Sequence, residues 1–120
     1  MPFVLRDPTQ SSPEIHVDDV GTQFISTVYN QDEIVQNLAS AVTITFRFYT
    51  PSREAKDFVG SLYTDGTDGK VVYTLQAGDV DEAGLWNYQC ILVLSGGTWS
   101  TNIEPFTVYA NIPAPIVLPP

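Results

Sequence analysis

Over residues 42–49 the chain alternates strictly: Val42, Ile44, Phe46 and Phe48 are separated by Thr43, Thr45, Arg47 and Tyr49. A period of two puts each set on its own face of a strand, so this segment predicts a half-buried β-strand with the first set inward. The same reading puts Trp86, Tyr88, Cys90 and Leu92 inward over residues 85–94, because Asn87 and Gln89 hold alternate positions. Val71, Tyr73 and Leu75 are the expected inner set of residues 71–75. Phe106, Val108 and Ala110 are that of the last strand, with Thr107 and Tyr109 outward. Residues 58–64 predict a shorter strand. In residues 22–29 two sets compete for the inside, Phe24 with Val28 against Ile25 with Tyr29. Residues 38–41 read as one short turn. Asp65-Gly66, Asp68-Gly69 and Ser95-Gly96-Gly97 are chain reversals, since Gly and Asp tolerate positive φ. About seven strands at this spacing predict an all-β sandwich.

The stretch between the strands at residues 71–75 and 85–94 refines that expectation. Asp79 precedes Glu82 by three residues, the capping-box spacing for a short helical turn. Gly84 ends the turn and Trp86 opens the next strand. A strand, a one-turn corner and an aromatic at the start of the following strand is how an immunoglobulin-type sandwich passes from one sheet to the other. The expected fold is therefore an immunoglobulin-like antiparallel β-sandwich over residues 14–111. An N-terminal arm (1–13) and a proline-rich C-terminal arm (112–120) flank it. The extracellular pattern of such domains places Tyr and then Cys where this chain has Trp86 and Tyr88. Cys90 is the sole cysteine, so no disulfide forms within the chain and packing must hold the sheets.

The elements Asp19-Val20-Gly21-Thr22-Gln23-Phe24, Ile44-Thr45-Phe46-Arg47-Phe48-Tyr49-Thr50-Pro51, Asp65-Gly66-Thr67-Asp68-Gly69-Lys70, Ala77-Gly78-Asp79 and Ala83-Gly84-Leu85-Trp86 follow one another in this order. In that order they resemble small immunoglobulin-like domains of tailed bacteriophages. They are similar above all to the N-terminal domain of the phage baseplate upper protein family. The resemblance runs over residues 18–111 and implies a structural role in a virion. It does not distinguish tail, baseplate, fibre and capsid surface.

Charge narrows the partners. The formal net charge is -9, and the five cations, Arg6, Arg47, Arg53, Lys56 and Lys70, are scattered along the chain. That field opposes nucleic acid and anionic membrane. No apolar run is long enough to span a bilayer. The first residues, Met-Pro-Phe-Val-Leu-Arg-Asp, lack a basic region followed by an apolar stretch. Synthesis and assembly in a host cytoplasm, and residence in the virion, are expected.

Catalytic chemistry is poorly represented. His16 is the one histidine and Cys90 has no second thiol, so neither a zinc site nor a nucleophile-base pair is expected. Cys90 reads as a small hydrophobe. Asp65, Asp68, Asp79, Asp81 and Glu82 form two acidic loops. Such loops can hold calcium or supply the two carboxyls of a glycosidase. Their simpler role is to close turns, and that role is favoured here. No cofactor is expected. Trp99, after Gly96-Gly97, suits a sugar platform, a protein contact or cross-strand packing.

The arms carry the remaining signal. Phe3, Val4 and Leu5 at one end, and Ile112, Ile116, Val117 and Leu118 among prolines at the other, are too apolar for plain linkers. Contact with neighbouring subunits is favoured over contact with the chain's own sandwich. The expected function is a non-enzymatic accessory protein of a tailed-phage virion. It binds major capsid, tail or baseplate proteins through sheet edges and arms, in multiple copies of a symmetric assembly. The absence of a second domain after the sandwich favours a decoration, cement or adaptor role. The alternative is a carbohydrate-binding module that attaches to a host glycan through Trp99.

Overall fold

Nine strands and no helix make up residues 14–112, the part of the chain that the computed structural model describes. They are β1 (Ile15–His16), β2 (Gln23–Thr27), β3 (Thr43–Tyr49), β4 (Ala55–Val59), β5 (Ser61–Leu62), β6 (Lys70–Thr74), β7 (Gly84–Leu94), β8 (Gly97–Ser100) and β9 (Glu104–Tyr109). Phe3, Val4, Leu5, Ile116, Val117 and Leu118 lie outside the described residues.

The strands form two sheets. One runs β1-β9-β7-β3-β4, with β8 also paired to β7, and the other runs β2-β6-β5. All pairings are antiparallel except β1 with β9. β7 is the spine of the larger sheet. One side pairs with β3 from Asn87 to Val93. Its other side pairs first with β9, at Gly84 to Tyr88, and then with β8, at Ile91 to Leu94. Thr101 manages the handover, its hydroxyl accepting the Cys90 N–H at 2.8 Å and its own N–H donating to the Cys90 carbonyl at 2.9 Å. Both Cys90 backbone groups are thus satisfied where β8 gives way to β9.

The inward sets are largely those the alternation predicts. Ile44, Phe46 and Phe48 of β3 are buried, as are Trp86, Tyr88, Cys90 and Leu92 of β7, Val71 of β6 and Leu75 just after it. Tyr73 packs on their rim. The competition in β2 resolves to Phe24, with Ser26 beside it on the same face. Phe24 joins the two sheets, its ring 5.1 Å from Phe48, 5.2 Å from Tyr88 and 5.0 Å from Phe106. Such ring pairs add to the area they bury.

Four expectations are corrected. Val42 is 69% exposed, because β3 starts one residue later and Val42 belongs to the preceding loop. Ala110 is exposed, because β9 ends at Tyr109. The run at 58–64 is not one strand. It divides at Gly60, where a Cβ would lie 2.7 Å from the Phe46 ring, so the chain crosses there from β3's sheet to β6's. Asp79 and Glu82 do not form a capping box. The Asp79 carboxylate turns back, taking the Gln76 N–H at 2.7 Å and the Tyr73 hydroxyl, and residues 77–80 form a turn. Glu82 instead accepts the Ser52 hydroxyl at 2.9 Å. The Tyr73 hydroxyl, delivered by β6, offers the carboxylate a partner that local spacing does not reveal.

Candidate functional site

Residues 28–42 connect β2 to β3 and fold into a closed loop. Asn30 organises it: its side-chain oxygen accepts the N–H groups of Asp32 (2.9 Å) and Ile34 (3.1 Å), and its N–H donates to the Ile34 carbonyl at 2.8 Å. Tyr29 and Val35 form a bridge across it. The base of the loop is pinned by the glycine turn between β5 and β6. Leu38 donates to the Gly66 carbonyl at 2.7 Å, and Gly66, at φ +92°, lies so close that a Cβ would stand 2.7 Å from the Ala39 nitrogen. A glycine is needed there both for its φ and for that approach.

Opposite this loop stands the β7–β8 hairpin. Ser95 and Gly96 form its two-residue turn, and Leu92 pairs with Trp99. Cross-strand partners share a face, so Trp99 lies on the core side of the sheet. The β2-β6-β5 sheet does not cover it, and Trp99 is 54% exposed. Its ring lies down on the hairpin, 3.1 Å from where a Gly97 Cβ would be. Between hairpin and loop is a groove of about 520 Å³. Its floor is Leu92 and Leu94, one wall is Trp99 with Ser100 and Thr101, and the other is Tyr29, Asn30, Gln31, Asp32 and Gln36. The groove is the core continued to the surface, apolar below and amide-rich above. Its volume falls in the range of about 300–1,000 Å³ usual for ligand pockets.

Among the described candidate site residues, Trp99 alone lines this groove. Asp79, Glu82, Gly84 and Trp86 lie around the opposite end of β7, and Ile112, 93% exposed, follows β9 out at that same end. At that corner Trp86 is fully buried and its indole N–H donates to the Glu82 carbonyl at 2.9 Å. Gly84, at φ +134°, leaves room for Pro51, 2.9 Å from where its Cβ would be. Lys56 braces the outside, with Nζ 3.0 Å from Asp81, 3.3 Å from the Asp79 carbonyl and 5.6 Å from the Trp86 ring centre.

The Asp65 and Asp68 carboxylates close their own turn, whereas Asp81 and Glu82 bond to Lys56 and Ser52. Asp65 accepts the Thr67 hydroxyl at 2.6 Å and its N–H at 3.0 Å, and Asp68 accepts the Thr64 hydroxyl at 2.7 Å and the Lys70 N–H at 3.0 Å. These bonds, the hydroxyls foremost, hold both carboxyls below the usual carboxylate range. Among the described residues, no three His, Cys, Asp or Glu side chains come together as metal ligands. His16 lies in β1, its ring 5.8 Å from that of Tyr109. Cys90 is buried, and burial pushes its thiol up to about 12, far from the range of a reactive thiolate.

The amide wall went unread in the sequence. Its signal was there: Asn30, Gln31 and Asp32 form a polar run inside a loop over residues 28–42, longer than most connections in a small domain. No protein-family model matches the chain, and no curated protein matches it.

Proposed function

We propose that this chain is an immunoglobulin-like accessory domain of a tailed-phage virion, a non-enzymatic module that binds neighbouring virion proteins. The strand order supports the fold. In immunoglobulin-type sandwiches one sheet carries strands A, B, E and D and the other C, F and G, with C′ beside C in the variable type. β2, β6 and β5 correspond to B, E and D, and β9, β7, β3 and β4 to G, F, C and C′. The Trp86 indole bonding back to Glu82 plays the part of the tyrosine corner. The phage assignment is supported by the ordered sequence elements that resemble phage virion domains.

The observation that carries a binding role is the open edge at β4. Among the described residues this strand pairs with β3 alone in its sheet, and it ends in Val59, 86% exposed. An edge with unpaired backbone groups accepts a strand from a partner. Lys56 and Asp57 lie on that edge strand, engaged with Asp81 and Arg47, and charges of this kind restrain indiscriminate pairing. Val59→Pro should leave the fold intact and reduce incorporation into particles in a complementation assay. Wild-type incorporation by that variant would remove β4 as the attachment edge.

A host glycan is the competing reading, and the half-exposed Trp99 beside a row of amides is what favours it. A glycan array separates the two, and no Trp99-dependent hit is expected.

A further inference from the structure

We propose that the groove beside Trp99 receives residues 113–120 of a second copy of this chain, so that copies join head to tail. This rests on the reading of the chain as a multi-copy assembly protein. Residues 113–120 read PAPIVLPP, uncharged and with four prolines. Such a sequence favours the polyproline II helix, which makes no hydrogen bonds within itself. Proline also lacks an N–H, so the segment has more acceptors than donors. A groove that receives it needs an aromatic surface for proline rings and side-chain donors for carbonyl oxygens. This groove has both. Trp99 forms one wall, and the amides of Asn30, Gln31 and Gln36 stand on the other, above Leu92 and Leu94. Among the described lining residues, Asp32 alone is charged. An uncharged segment enters without repulsion from it, whereas an acidic partner would meet both Asp32 and the net charge of -9.

Chain geometry makes the contact intermolecular. Asn111 is held at the far end of the molecule, where its side-chain amide donates to the Val17 carbonyl at 2.9 Å while Val17 donates to the Tyr109 carbonyl. That level lies beyond the Gly84–Val108 pair, the last between β7 and β9. From there to Leu92 is on the order of 30 Å along the strand. Leu118 is seven residues from Asn111 and reaches at most about 25 Å fully extended. Residues up to Leu118 therefore fall short of their own copy's groove. The groove and Asn111, after which the arm follows in the chain, sit at opposite ends, so each copy offers one of each. That is a heterologous contact, which closes into a ring or continues as a filament.

The test is sedimentation velocity of the full chain over a concentration series. The wild type should associate progressively. Trp99→Ala and Leu118→Asp should each weaken association at least tenfold while keeping the wild-type melting temperature, and Trp99→Tyr should retain most of it. An equimolar mixture of the two weakened variants should form a 1:1 dimer and nothing larger, since one groove and one arm remain between them. Four results would overturn the proposal: a wild type that stays monomeric at millimolar concentration, variants that associate as the wild type does, a mixture that stays monomeric, or loss of association on deleting residues 1–13 instead. So would a Trp99-dependent glycan hit. Association as described by a chain absent from virions would leave this inference standing and remove the virion reading. Incorporation of Leu118→Asp at wild-type levels, with no association in solution, would do the reverse.

Discussion

Ser26 and Cys90 face each other across the two sheets, with the Cys90 thiol donating to the Ser26 hydroxyl at 3.8 Å. Ser26 belongs to β2 and Cys90 to β7, and both are fully buried. The Tyr88 hydroxyl lies 3.4 Å from the same Ser26 oxygen. This small polar cluster bridges the two sheets between β2 and β7.

Ser26→Cys should therefore form a disulfide with Cys90 under oxidising conditions. The two sulfurs need a modest approach to reach bonding distance of about 2.05 Å. The bridge should stabilise the fold by about 2–4 kcal/mol. Intact mass and melting curves with and without reductant check it. A variant that stays reduced, or melts lower when oxidised, would contradict the facing geometry.

The corner gives a ranked pair of effects. Trp86→Ala empties the core at the foot of β7 and should cost about 3–5 kcal/mol. Asp79→Ala leaves the Tyr73 hydroxyl and the Gln76 N–H without their acceptor and should cost about 1–3 kcal/mol. Urea unfolding measures both. Equal costs would show that the Trp86 cavity collapses or that the Asp79 bonds carry more than supposed.

Acid should destabilise the fold in a specific window. Arg47 holds Asp57 below its ordinary value of 3.8, Lys56 does the same for Asp81, and the neighbouring threonines do so for Asp65 and Asp68. A carboxyl depressed in the folded state contributes fully above its unfolded value and loses that contribution as pH falls through the folded value. The melting temperature should be level above about pH 5 and fall steadily below about pH 4. Asp57→Asn with Asp81→Asn should flatten that fall. A flat profile down to about pH 2 would show the four carboxyls unperturbed.

Calcium should leave the melting temperature unchanged, because the oxygens of Asp65 and Asp68 already close their own turn. A calcium-dependent rise that disappears in Asp65→Ala would identify a metal site in that turn.

What the sequence made legible was local. Alternation within one strand exposed the inner faces of β3 and β7, since a period of two needs no knowledge of partners. The direction of the Asp79 carboxylate was hidden, because its partner Tyr73 lies six residues back, in β6, outside the forward capping-box spacing. Gly60 looked like part of a strand, because the Phe46 ring it accommodates belongs to β3. The groove was hidden for the same reason. Trp99 was visible as an exposed aromatic, but its opposing amides are brought there by the Leu38–Gly66 bond, a long-range contact.

The central claim is that this chain is a structural component of a particle. Quantitative mass spectrometry of gradient-purified virions, from a culture producing the chain, tests it most directly. The account predicts the chain in every intact particle, in many copies and in fixed ratio to the protein it sits on. Its absence from purified particles, while abundant in the lysate, would contradict the account.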